Sequence, residues 1–311
     1  MHRTKIALIG GGQIGSVLAL MATQKELGNI VIVDRPESEN NVKGKALDIM
    51  TLRPHDGIDV ELIGTSNYDD IDDADVVIVT AGIPRKPNMS RDDLLGINIE
   101  IIKGVAEEVK VHAPNAFVVV ATNPVDAMSY TFQKVSGFPK SRVVGLSGAL
   151  DTGRFQAFIA METGLSANDV SCMVMGGHGP TMIPLVRTAT VAGIPISELL
   201  TQERIDSIMK RTREAGTEIV HLLGNGSAYF SSAASIMEMV EAYLGDKKRV
   251  ISSSMLCEGE YGVNGYYIGV PCVIGTNGVE RIIEADLTDD EKAMFQTNFE
   301  AVKATTDNTG L

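Results

Sequence analysis

Ile6-Ala7-Leu8-Ile9-Gly10-Gly11-Gly12-Gln13-Ile14-Gly15 decides the fold of this chain. A short apolar run, readable as a strand, stops at Gly10. A stretch with helical character follows, from Ile14 to Lys25. The glycines between fit G-x-G-x-x-G. Gly10 permits the tight turn, Gly12 lets the backbone approach a pyrophosphate, and Gly15 allows the helix to pack closely on the strand. The helix start at Gln13 and Ile14 supplies free N–H groups and the positive end of the dipole. The next apolar run, Ile30 to Val33, ends at Asp34, 19 residues after Gly15. An acid there accepts hydrogen bonds from ribose hydroxyls and repels a 2′-phosphate, so NAD is expected rather than NADP. Arg35, the next residue, either faces solvent or meets such a phosphate.

Outward from this stretch, short apolar runs keep alternating with helical ones. Val42 to Leu52 reads as helix, Val60 to Ile63 as strand, Val76 to Val79 as strand, Asp92 to His112 as helix, and Phe117 to Val120 and Val143 to Leu146 as strands. Strands that are apolar at every position are covered on both faces, as in a parallel sheet. The pattern predicts an α/β protein whose residues 1–146 form a doubly wound, Rossmann-type parallel sheet. Residues 147–311 read as a separate α+β catalytic domain. Its helices are expected at Gly148 to Gly164, Gln202 to Leu223, Ser231 to Leu244 and Asp289 to about Ala304. Its strands are expected at Val170 to Met175, Tyr266 to Val270 and Cys272 to Gly275. No element is assigned between Leu244 and Tyr266.

The 311 residues are 44% apolar and 22% charged, the composition of an ordinary globular protein. A net charge of −13 argues against nucleic acid and anionic membranes as partners, but not against a small anion gripped by a few arginines. Three widely spaced cysteines, Cys172, Cys257 and Cys272, form no disulfide framework and point to a reducing, cytoplasmic setting. The first strand begins too early to leave room for a signal peptide, and no apolar run is long enough for a membrane span. No His, Cys or carboxylate spacing suggests a metal site.

Three further stretches carry chemistry. Met175-Gly176-Gly177-His178-Gly179 places an imidazole in a glycine turn just past a strand. Histidine can take and return a proton near neutral pH, although a turn or core histidine is the competing reading. Ala81 to Arg91 follows the Val76–Val79 strand, at the sheet end where ligands bind, and carries Arg85 and Arg91. Gly82, Pro84 and Pro87 suit a loop that closes over a substrate; a solvated basic loop is the alternative. Asp151 and Arg154 share one face of a helix. They either pair with each other or diverge, the arginine onto a substrate carboxylate and the acid onto an imidazole.

Together these motifs resemble the lactate/malate dehydrogenase family, most closely its lactate-dehydrogenase-like malate branch. The likeness extends to Gly44 to Asp48, Thr122-Asn123-Pro124-Val125-Asp126, Leu150 to Phe155 and Gly278 to Arg281. The resemblance implies reversible hydride transfer between (S)-malate and NAD. It implies His178 as the proton-transferring group, Asp151 as the acid that orients it, and Arg154 on the C1 carboxylate. It implies Arg91 and Asn123 at the reacting oxygen, and Arg85 at the position that reads the distal carboxylate. It also implies cofactor contacts at Gly82, Asn98 and Asn123. Arginine at position 85 is typical of malate enzymes and glutamine of lactate enzymes. A lactate-type 2-hydroxy acid dehydrogenase and a non-catalytic dinucleotide-binding regulator are the alternatives. The resemblance further implies a homo-oligomer, a tetramer before a dimer. The chain departs from the family at Pro180, where an acid usually follows His-Gly, and at Asn88, where glycine is common.

Overall fold

The computed structural model describes residues 3–84, 91–224 and 226–311; the side chains of Arg91 and Asp92 are outside that description. The first half runs β1 (Lys5–Ile9), α1 (Gln13–Gln24), β2 (Asn29–Val33), α2 (Glu39–Met50), α3 (Arg53–Asp56), β3 (Leu62–Thr65), β4 (Val76–Val79), α4 (Arg91–His112), β5 (Phe117–Val120), α5 (Val125–Ser136) and β6 (Val143–Gly145). The six strands pair in parallel in the order β3-β2-β1-β4-β5-β6.

Side-chain alternation explains the continuous apolar runs. Ile6, Leu8, Ile30, Ile32, Val76 and Ile78 face one layer with Leu18 of α1 and Val42 of α2. Ala7, Ile9, Val31, Val33, Val77 and Val79 face the other, with Ile102 and Val109 of α4 and Phe132 of α5. Strands β1, β2, β4, β5 and β6 bury both faces, so neither set of positions there favours a polar residue, whereas Ile63 of the edge strand β3 is exposed.

The second half continues with α6 (Gly148–Thr163), β7 (Val170–Ser171), β8 (Val174–Met175), β9 (Ile183–Pro184), β10 (Thr190–Val191), β11 (Ile194–Pro195), α7 (Ile196–Leu199), α8 (Gln202–Leu223), α9 (Phe230–Leu244), β12 (Arg249–Glu258), β13 (Asn264–Gly275), β14 (Gly278–Ile282) and α10 (Asp289–Asp307). A third cluster around Phe155, Ile159, Val174 and Ile208 holds α6, α8 and the short strands together.

Three strands of the second half, β12, β13 and β14, extend the parallel sheet antiparallel, β12 docking on β6 through Ser254 opposite Gly145, while its short strands form two small sheets of their own. Several expectations about its strands need correction. The strand at Arg249–Glu258 escaped the sequence reading because Ser252-Ser253-Ser254 looks like a turn. All three serines are buried, and Ser252 Oγ donates to the Val174 carbonyl at 2.6 Å. Tyr266 to Val270 and Cys272 to Gly275 are one strand running through Pro271. The Pro271 carbonyl accepts from Ile283 N at 2.8 Å, on the β14 side. Its missing N–H would face the same way, and the Ile283 carbonyl opposite accepts from the Tyr261 hydroxyl at 2.7 Å instead. Val170 to Met175 splits in two because β7 pairs with β10 while β8 pairs with β9. The third parallel strand lies at Leu62–Thr65, two residues later than expected.

Candidate active site

The carboxyl ends of β1, β2 and β4 open on a cleft of about 450 Å³ lined by Gly10, Gly12, Asp34, Ser66, Thr80 and Gly82. The glycine turn explains its own sequence. Gly10 has φ +109°, and a Cβ there would stand 2.8 Å from Thr80 Oγ1. A Cβ on Gly15 would stand 2.0 Å from the Gly10 carbonyl oxygen. At Gly12 a Cβ meets nothing within 4 Å, so the turn is open on this side. Gln13 and Ile14 open α1 directly behind it.

Asp34 stands at the end of β2. Its Oδ2 accepts from Gly11 N at 2.8 Å and its Oδ1 from Arg35 N at 2.8 Å. The acid therefore holds the glycine turn as well as lining the cleft. Arg35 is 73% exposed and pairs with Glu37 at 3.2 Å, which supports its solvent-facing reading. Asp34→Ser is expected to raise the NADPH/NADH ratio of kcat/KM by roughly 10- to 100-fold, the value of a hydrogen bond to a charged group. Steady-state kinetics with the two cofactors check this, and an unchanged ratio would place discrimination elsewhere.

Asn98, on α4, is fully enclosed. Its Oδ1 accepts from Ile83 N at 2.9 Å, and its Nδ2 donates to the Ile83 and Asn123 carbonyls at 3.3 and 2.8 Å. The side chain ties together the segments that leave β4 and β5. Gly82, with φ +153°, packs against Thr122 and Asn98. Asn123 is exposed at the start of a cis peptide bond to Pro124. Arg91 begins α4, and Arg85 lies outside the described residues.

The structure brings Asp151, Arg154 and His178 together. Asp151, in the first turn of α6 and 1% exposed, faces both partners: Oδ2 lies 2.8 Å from His178 Nδ1 and Oδ1 accepts from Arg154 Nη1 at 3.2 Å. Asp151 and Arg154 thus pair with each other, and the same acid also reaches the imidazole. With Nδ1–H directed at the carboxylate, Nε2 is the ring atom left for a substrate. Arg154 is 8% exposed, and its Nε is buried with no hydrogen-bond partner among the described residues. A planar fork with unused donors matches a carboxylate. The Asp151 carboxylate raises the His178 pKa above its usual range, outweighing the opposite pull of burial. Burial lowers that of Arg154, against the stabilising Asp151 charge.

Three supporting residues were missed in the sequence. Asn298, on α10 and buried, accepts from Gly177 N at 2.6 Å, donates to the Gly177 carbonyl at 3.3 Å and donates to Thr181 Oγ1 at 2.9 Å. Thr181 beside Pro180 is thereby anchored. Gly176, at φ +87°, leaves room for this clamp, since a Cβ would stand 2.7 Å from Asn298 Oδ1. Asp126, on α5, accepts from Ser254 Oγ at 2.6 Å. Asp126 lies inside a quoted motif, but no local signal marked Ser254 or Asn298, whose partners are over a hundred residues away.

Comparison with known proteins gives the family of the chain. The family model for the lactate/malate dehydrogenase NAD binding domain matches residues 4–145, and that for the lactate/malate dehydrogenase alpha/beta C-terminal domain matches residues 148–309. The malate dehydrogenase of Halalkalibacterium halodurans is 54% identical over 303 residues, covering 97% of this chain and 96% of its own. Malate dehydrogenase 1 of Anaeromyxobacter dehalogenans is 54% identical over 312 residues, covering 100% and 99%. The crystal structure of Cryptosporidium parvum malate dehydrogenase superposes with a TM-score of 0.96 at 43% identity, covering 99% of both chains. The lactate dehydrogenase of the same organism, solved with lactic acid and NAD, gives 0.96 at 44% identity, covering 100% of this chain and 99% of its own. With both of its models matched in order, the chain belongs to the lactate/malate dehydrogenase family.

Proposed function

We propose that the protein catalyses the reversible NAD-dependent oxidation of (S)-malate to oxaloacetate. One observation carries the reading: a buried carboxylate, Asp151, that orients an imidazole with one oxygen and a guanidinium with the other. The glycine turn, its open side at Gly12 and the acid at the end of β2 fit the dinucleotide. Bound NAD supplies the acceptor for the C2 hydrogen and its electron pair.

The chain's own residues do the rest. Arg154 holds the C1 carboxylate with its free donors. His178 Nε2 takes the C2 hydroxyl proton, and Asp151 compensates the positive charge that forms on the ring. In reverse, protonated His178 returns that proton to the carbonyl oxygen of oxaloacetate. Arg91 polarises that carbonyl and Asn123 hydrogen-bonds beside it. Arg85 pairs with the distal carboxylate.

Pyruvate lacks that carboxylate and strands the Arg85 charge, at a cost of about 2–5 kcal/mol. Oxaloacetate is therefore expected to exceed pyruvate in kcat/KM by at least ~100-fold. Arg85→Gln narrows or inverts the ratio. Following NADH consumption with oxaloacetate, pyruvate and 2-oxoglutarate side by side tests the reading. NADH binding without turnover of any of them would overturn it in favour of a regulator. A homotetramer in the cytoplasm belongs to the same reading. Three free thiols support the compartment, and light scattering checks the assembly.

A further inference from the structure

Asp126 lies beneath the catalytic turn, in the first turn of α5, and is 7% exposed. Its Oδ1 accepts from Ser254 Oγ at 2.6 Å, and its Oδ2 would be 2.9 Å from a Cβ on Gly177. The main chain of His178 lies close to it as well. Of two buried acids from different helices, Asp151 thus meets the imidazole and Asp126 lies under the backbone that carries it. A neutral amide of the same shape would be cheaper to bury. The turn itself is already clamped by Asn298.

We infer that Asp126 is a positioning residue for the proposed reaction: its carboxylate holds the Gly177–His178 turn from below and places a second negative charge behind the imidazole that Asp151 faces. The inference rests on His178 being the proton-transferring group. The charged groups around His178 are Asp151 and Arg154 from α6 and Asp126 from α5. Asp126 itself faces Ser254, His178 and Asp151; burial pushes its acid up to about 6, against the hydrogen bond from Ser254 and the charge of His178. Above that range Asp126 is an anion while His178 titrates. The start of α5 favours the anion further.

Asp126→Asn keeps the shape, since the Ser254 hydroxyl can turn to accept from the new amide. It removes the charge alone. The measurement is the pH dependence of diethyl pyrocarbonate modification of His178 in the full-length enzyme, localised by peptide mass spectrometry. It needs no turnover and reports the neutral imidazole directly. Asp126→Asn is expected to move its midpoint down by about one pH unit. It is also expected to lower kcat for oxaloacetate reduction about tenfold, with a much smaller change in KM. Ser254→Ala, which leaves the carboxylate less well supported, moves the midpoint the same way by less and serves if Asp126→Asn does not fold. Asn298→Ala loosens the turn without touching a charge, so it lowers kcat and leaves the midpoint in place.

An unmoved midpoint in Asp126→Asn and Ser254→Ala overturns the inference, as does a wild-type kcat in Asp126→Asn. If instead the midpoint shifts while the wild-type protein turns over no 2-oxo acid, the charge effect stands and the proposed activity fails.

Discussion

His178→Asn is expected to lower kcat by about 10³–10⁴-fold in both directions, the usual worth of a positioned general acid–base group. NADH affinity should stay near wild type, because the cleft at Gly10, Gly12 and Asp34 is built by other elements. The size of the effect follows from the ring's single job. Its Nδ1 faces Asp151 at 2.8 Å, so only Nε2 is left to meet a substrate, and asparagine offers no titrating atom there. Stopped-flow reduction of oxaloacetate and fluorescence titration with NADH separate the two claims. In the wild type, the pH profile carries the same signature. The Asp151 charge raises the His178 pKa, so kcat/KM for oxaloacetate reduction should fall as pH rises through a value above the ordinary 6.5. Malate oxidation should rise through that same value, because it needs the neutral ring. A variant that keeps more than a tenth of wild-type kcat would remove His178 from the chemistry.

Asp151→Asn comes next, with an expected fall in kcat of about 10²–10⁴-fold, the range for a lost acid–base partnership. The carboxylate serves two cations at once, so its loss is felt twice. The imidazolium is no longer compensated, and Arg154 is left buried beside a neutral amide. Breaking a buried pair in this way costs about 3–5 kcal/mol, which thermal or urea denaturation will show. The pH dependence of that loss has a defined sign. A histidine whose folded pKa is raised contributes stability that is fully present below its unfolded value near 6.5 and fades as pH rises through the folded one. The stability gap between wild type and Asp151→Asn should therefore be widest in mildly acidic buffer and shrink towards alkaline pH. A gap that does not vary with pH means Asp151 supports Arg154 alone.

The first half of the chain was readable because its physics is local. Ile6 to Gly15 carries strand, turn and helix start in ten residues, and the apolar runs at Val76 and Phe117 declare burial on both faces. His178, Asp151 and Arg154 were legible for the same reason: an imidazole among glycines, and an acid and a base one helical turn apart. What stayed hidden depends on partners distant in sequence. Ser252 to Ser254 reads as a turn until Val174 and Asp126 stand opposite the hydroxyls. Asn298 looks like any polar position on the last helix until the Gly177 backbone takes both ends of its amide. Pro271 looks like a strand break until its carbonyl is seen bonded past the end of β14. The sheet that the two halves share was hidden as well, since periodicity reports each strand but not its neighbour.

That shared sheet has a consequence for how the chain is made. Val143–Gly145 leaves the ribosome long before Arg249–Glu258, the segment that flanks it, has been synthesised. During that interval the nascent polypeptide carries a naked hydrogen-bonding edge, a template for pairing with a neighbouring copy. Fragments ending near residue 146 should therefore be sticky, and chaperone dependence should be greatest midway through translation.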